Sequence, residues 1–200
     1  MATLDTLYPA GDGTITSTEN QAGGTTNLYL SVDDRASDGS PDGTTWVNGL
    51  YNATPCSVFF TLTSVNTDFA SMDTPLTLNY SYSDEGTLSD DTLSITAQIF
   101  ASDETTAYTN AVTIRTHAGS DQGGTFTKTS ANLTVNATGL AANEAAWNAA
   151  RLKLEWNKVK SAGWDTAVID IGFVDIDGTY TADAGGFQVA WAQNSTGIAE

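Results

Sequence analysis

Basic side chains are scarce in this chain, with seven lysines and arginines against twenty-four acids in 200 residues and a formal net charge of −17. Phosphate contacts need clustered cations, so this balance argues against a nucleic-acid partner. A single cysteine, Cys56, cannot close an internal disulfide, which leaves stability to packing and hydrogen bonding. No apolar run is long enough to cross a bilayer, and "MATLDTLYPAGDGT" lacks the charged start and apolar centre of a secretory signal. The expectation is a chain made in a cytoplasm, with no membrane partner.

Catalytic constellations are equally thin. The single histidine, His117, alternates with Arg115 and Thr113 on the expected outer face of a strand. Serines and aspartates are plentiful enough to imagine a Ser-His-Asp arrangement around it, but abundance alone gives no evidence of geometry. Cys56 falls on the apolar face of its strand and reads as a small core residue rather than a nucleophile. Phosphate-cradling glycine loops, zinc spacings and dinucleotide fingerprints are all missing, so no cofactor, no metal and no catalytic residue is expected. A glycosidase or lyase would rest only on the number of carboxylates, and the Asn-x-Thr stretches at Asn52 and Asn132 carry no weight without a secretory route.

What the chain has is period-two patterning. Cys56, Val58, Phe60 and Leu62 share one face of "CSVFFTLTS"; Leu76, Leu78, Tyr80 and Tyr82 do so in "LTLNYSYS", and Leu93, Ile95, Ala97 and Ile99 in "TLSITAQIF". Shorter versions recur at Leu28, Leu30 and Val32, at Val112 and Ile114, at Leu133, Val135 and Ala137, and at Phe187, Val189 and Trp191. Threonine fills many alternate positions, as suits the solvent face of a strand. With turn clusters such as "SDEG" and "ADAGG" between the runs, the pattern predicts an all-β, single-domain antiparallel sandwich or barrel over residues 1–200. One stretch differs. "GLAANEAAWNAA" is alanine-rich with Asn143 placed to cap, and predicts a short helical connector near residues 141–150.

Charge is unevenly spread. Four of the seven basic residues, Arg151, Lys153, Lys158 and Lys160, lie in "RLKLEWNKVK", where Leu152, Leu154 and Trp156 are expected to face inward. The cations then form a stripe, either a solvated face whose lysines discourage edge pairing or a contact strip for an acidic partner. Trp147, Trp156 and Trp164 read as core anchors.

The aspartate-rich stretches "VDDRASDGSPDGTTW" and "DIDGTYTADAGG" invite a metal reading. Neither meets the EF-hand spacing, and Asp177-Gly178 fits a tight hairpin between two strands. A calcium site built from separated loops around Asp175, Asp177 or Asp183 stays open as a minor alternative.

The N-terminal run carries Pro9, Asp12, Gly13, Thr14, Tyr29, Val32, Asp33, Asp34, Asp42, Thr45 and Trp46. Together with "EAAWNAARLKLEWNKVKSAGWDTAVIDIGFVDIDGTY", it resembles a family of tailed-bacteriophage and prophage virion structural proteins. The resemblance covers about half the chain and names no catalytic residue. It implies a concanavalin-like or jelly-roll β-sandwich in a phage particle, with Val32 to Trp46 as an acidic connecting loop. Three functions follow as expectations. The first is a capsid decoration or cement protein on the head exterior, with the major capsid protein and like copies as partners and a homo-oligomer as the working form. The second is a tail adhesin or carbohydrate-binding module, in which Tyr51, Tyr108 and Tyr180 would stack on sugars. The third is the weakly supported glycosidase.

Overall fold

The computed structural model describes residues 1–32, 45–49, 56–88, 92–120, 123–159 and 167–183. Tyr51, Lys160, Trp164, most of the Val32 to Trp46 connector and the run containing Phe187, Val189 and Trp191 lie outside the described residues.

The strands are β1 (Ala2–Thr3), β2 (Pro9–Thr16), β3 (Thr18–Asn20), β4 (Val47–Gly49), β5 (Cys56–Leu62), β6 (Phe69–Met72), β7 (Leu76–Glu85), β8 (Thr92–Phe100), β9 (Val112–Thr116), β10 (Thr127–Leu133), β11 (Arg151–Val159), β12 (Val168–Asp177) and β13 (Thr179–Ala182). Two short helices interrupt them, α1 (Ala137–Ala141) and α2 (Glu144–Asn148). The protein is all-β, and every strand pair among the described residues is antiparallel.

Two five-stranded sheets enclose the core, in the orders β10-β7-β12-β4-β3 and β2-β5-β11-β8-β9, and a small third sheet has the order β1-β13-β6. The connectivity follows one rule. β4 pairs with β12, β5 with β11, β7 with β10 and β8 with β9, so the chain forms one long antiparallel double strand, outermost elements matched to outermost. That double strand is rolled until β12 meets β7 and β11 meets β8, which is the jelly-roll arrangement.

The alternating patterns set the inner faces. Cys56, Val58, Phe60 and Leu62 are all buried, as are Leu93, Ile95, Ala97 and Ile99, and Leu152, Leu154 and Trp156. Trp156 reaches across the core, its indole N–H donating to the Ile169 carbonyl at 2.8 Å. Gly49 makes that approach possible, because a Cβ there would lie 2.9 Å from the Trp156 side chain and 2.8 Å from that of Cys56.

Three expectations need correction, and the helical connector is met with one addition. Leu28 to Val32 is no strand: Leu28–Ser31 is a 3-10 turn that begins after Asn27 at φ 54°. Leu28 and Val32 are buried, but Leu30 is exposed. The helical connector expected near residues 141–150 is present as α2, and α1 precedes it. Asn143 caps α2 by accepting from the Ala146 amide at 3.0 Å, while Asn136 caps α1 by accepting from Gly139 at 3.0 Å, so a second cap starts a separate turn upstream. Asp177-Gly178 makes no hairpin, since β12 and β13 belong to different sheets. Gly178 sits where the chain crosses between them, and a Cβ there would meet Leu76 at 2.5 Å. Finally, β11 lies at the centre of its sheet, so its lysines are not guarding an edge.

Candidate functional site

Of the basic residues singled out in the sequence, the structure places Arg151 and Lys153 against protein groups. Arg151 donates from Nη1 to the carbonyls of Ala149 and Ala150, at 2.7 and 3.2 Å. Lys153 forms an ion pair with Glu155 on its own strand, and its ammonium lies 5.6 Å from the Phe59 ring centroid. Lys158 is half-buried. Its positive charge opposes, in part, the effect of burial that pushes the Cys56 thiol up. An elevated thiol pKa means little thiolate, which fits Cys56 as a core residue.

Of the tyrosines named for glycan stacking, Tyr108 and Tyr180 are buried. Tyr180 is 3% exposed, with its ring stacked on Phe69 at 5.7 Å and its hydroxyl bonded to Asp68. Tyr108 is 6% exposed and packs on Trp147 at 5.2 Å. Stacking on a sugar needs a free ring face, and both rings have spent theirs on protein aromatics. Beside Tyr108 lies an open cavity of about 680 Å³, lined by residues of α1, α2 and the turn between them, among them Ala137, Ala141, Ala142 and Ala146.

His117 also differs from expectation. It is buried just past the end of β9; Nδ1 accepts from the Gly119 amide at 2.9 Å, so Nε2 carries the proton and donates to the Glu85 carbonyl at 3.1 Å. With both nitrogens engaged on backbone, the ring is part of the scaffold. Arg115 has a similar role. It donates to both carboxylate oxygens of Asp84, Nε at 3.0 Å, while its guanidinium lies 4.1 Å from the Tyr82 ring centroid. Asp84 also accepts from the Ala118 amide at 2.8 Å. Since β9 and β7 belong to opposite sheets, this fork ties the two layers together.

The most unusual chemistry lies on the outer face of β12. Register sets Asp170 opposite Ser83, Phe173 opposite Ser81, Asp175 opposite Asn79 and Asp177 opposite Thr77, while Ile169, Ile171, Val174 and Ile176 face the core. A bulge at Gly172 keeps both faces in phase, because the register shifts between Ile171 and Phe173. This outward row is buried for much of its length: Asp170 and Asp175 are each 1% exposed, and Ser81 and Ser83 are 0%. Asn79 donates from Nδ2 to both Asp175 and Asp177, each at 2.8 Å, and Thr6 donates to Asp177 at 2.7 Å. The structure thus brings Asp175 and Asp177 together on amide and hydroxyl donors, whereas Asp183 follows β13 and donates its amide to the Asp68 carbonyl. Among the described residues no three His, Cys, Asp or Glu side chains converge as a metal cage.

Asp170 is the exception along this row. Its hydrogen bond comes from Asn48 Nδ2 at 2.9 Å, and burial, countered in part by that bond and reinforced by Glu85 and Asp84, pushes its carboxyl up to about 7. The period-two reading of β12 missed this group because alternation predicts which face a residue takes, not whether that face is covered. The available signal was a strand with aspartates where threonine fills other outer faces.

The chain matches no protein-family model and no curated protein. Three residues of the N-terminal resemblance, Asp12, Gly13 and Thr14, lie in and beside contacts of β2. Asp12 accepts the amides of Leu28 and Tyr29, both at 2.9 Å, and so fixes the 3-10 turn. Gly13 has no room for a Cβ, which would lie 2.9 Å from Phe59 Cβ, and the Thr14 amide donates to Glu104 at 3.1 Å.

Proposed function

We propose that this chain is a non-enzymatic structural protein of a tailed-bacteriophage virion, a decoration or cement protein on the outside of the head. Its partners are the major capsid protein and neighbouring copies of itself, and it works by bridging capsomers. The observation that carries the reading is the integration of Asp12, Gly13 and Thr14 into a jelly-roll sandwich. The segment behind the resemblance to virion proteins serves the architecture that resemblance implies. Fold analogy alone supports many functions, so the sequence resemblance supplies the direction and the fold agrees with it.

A net charge of −17 suits a protein held away from packaged nucleic acid. Bridging of this kind draws its strength from many repeated weak contacts rather than one tight site. Arg151 and Lys153, on the outer face of β11, are the candidate contact residues, with Lys158 and Lys160 further along the same segment, since complementary charge sets register between subunits. The Lys153–Glu155 ion pair offsets part of that charge.

Immunogold labelling of intact particles from the encoding strain, with antibody against this chain, tests the reading. Regular label over the head is the expected result. Label confined to the tail would move the protein to an adhesin, and absence of label from well-purified particles would remove the virion assignment. Charge reversal at Lys153 and Lys158 together should lower particle occupancy; unchanged occupancy would exclude the strip.

A further inference from the structure

We propose that Asn48, Asp170 and Ser83, side by side on the outer face of β4, β12 and β7, form a binding site for a hard divalent cation of the calcium type. The inference is independent of the virion reading and begins with unmet hydrogen-bonding capacity. The Asn48 Oδ1 and Ser83 Oγ atoms are buried without a hydrogen-bond partner. Their residues are 4% and 0% exposed, and Asp170 between them is 1% exposed. Buried polar atoms are nearly always paired, and leaving them unmade is costly. Here two orphan oxygens flank a carboxylate.

Register gives the geometry. Ser83 stands opposite Asp170, and Val47 opposite Ile171, which places Asn48 next to Asp170 on the other side. Directly opposed residues hold their Cβ atoms about 4.5–5.5 Å apart, so both neighbours can direct oxygen toward the space over the Asp170 carboxylate. Asn48 already lies against it, Nδ2 at 2.9 Å from Oδ1. A half-turn of that amide exchanges nitrogen for oxygen and sets two acceptors side by side, an arrangement that a cation holds together and that repels without one.

The surrounding charges favour the same occupant. Glu85 lies on the same face of β7 two residues beyond Ser83, and Glu19 of β3 stands opposite Asn48. Asp84 points to the inner face, where Arg115 holds it. On β10, Lys128 pairs in register with Ser81, and its ammonium lies 5.5 Å from the Phe173 ring centroid. All the candidate ligands are oxygens, from carboxylate, amide and hydroxyl, which is the donor set of calcium and magnesium rather than of zinc or copper.

Calorimetric titration of the chelator-treated full-length chain with calcium chloride, at constant ionic strength, tests the site. One saturable calcium per chain is expected, weakened at least tenfold in Asp170→Asn and several-fold in Ser83→Ala. Asp103→Asn, in an exposed loop, should bind as the wild type does. Absence of saturable binding overturns the proposal, as does binding of equal strength in Asp170→Asn, which would place the ion elsewhere. Should Asp170→Asn fail to fold, unchanged affinity in Ser83→Ala overturns it. Weak uptake of several ions that disappears with added monovalent salt would also count against it, as the counterion atmosphere of an acidic chain.

Discussion

The outer faces of the two large sheets carry similar side chains and treat them differently. On the β11 face, Lys153 and Glu155 pair in partial contact with solvent, both about one-quarter exposed. On the β12 face, Asp170 and Asp175 are removed from water. Strand alternation places charged groups outward in both cases, but the energetic consequence depends on what surrounds them. A half-exposed ion pair contributes little, because water already solvates both partners. A buried carboxylate must have its partners supplied by protein, by a proton or by an ion.

The sharpest way to probe this difference is to remove a buried charge whose partner stays behind. Asp84 is fully buried and holds Arg115 through both oxygens. Asp84→Ala strands the guanidinium between the sheets, and chemical denaturation should show a loss of about 3–5 kcal/mol. A loss below about 1 kcal/mol would mean that Arg115 finds water instead, and that the fork does not tie the layers.

The next probe is pH, in the presence of chelator. Asp170 has its carboxyl raised to about 7 in the folded chain, above the unfolded value of 3.8. Between those values the native state binds more protons than the unfolded state. The contribution of Asp170 is therefore fully present below about pH 4, is lost as pH rises toward 7, and is constant above that. The swing is on the order of 4 kcal/mol. Comparing wild type and Asp170→Asn isolates it from Glu19, Asp84, Glu85 and Lys128, because the difference between their stability curves should fall across that window. Parallel curves would show that Asp170 is solvated like a surface acid.

The smallest effect belongs to the other sheet. Lys153→Ala should change stability by less than about 1 kcal/mol, and that change should shrink with added salt. A larger loss that persists in salt would point to the packing of the lysine stem over Phe59 rather than to charge.

Much of the fold is legible in the sequence where a pattern is local. Leu152, Leu154 and Trp156 declare a buried face by spacing alone, and Asn143 declares a helix start. What is not legible depends on partners remote in the chain. Asn48 and Asp170 are 122 residues apart, and Arg115 and Asp84 are 31 apart, so no periodicity joins either pair. Asp177-Gly178 misleads for a related reason. Asp-Gly is good turn chemistry, yet the same small residue also serves where a chain passes close to Leu76 on its way to another sheet. The candidate contact residues were found by composition, which registers charge but not the ion pair and carbonyls that occupy it.

The rolled double strand has a temporal consequence. β11 and β12 occupy the centres of the two sheets, yet they come from the last quarter of the described chain. During synthesis β5 and β8 emerge first and must wait for β11 to fill the gap between them, as β4 and β7 wait for β12. Until then the growing polypeptide presents open strand edges on a ribosome still translating its closing pieces. Closure of both sheets thus waits for β11 and β12, with long-range pairing setting a slow pace and unpaired edges open to association with other nascent chains.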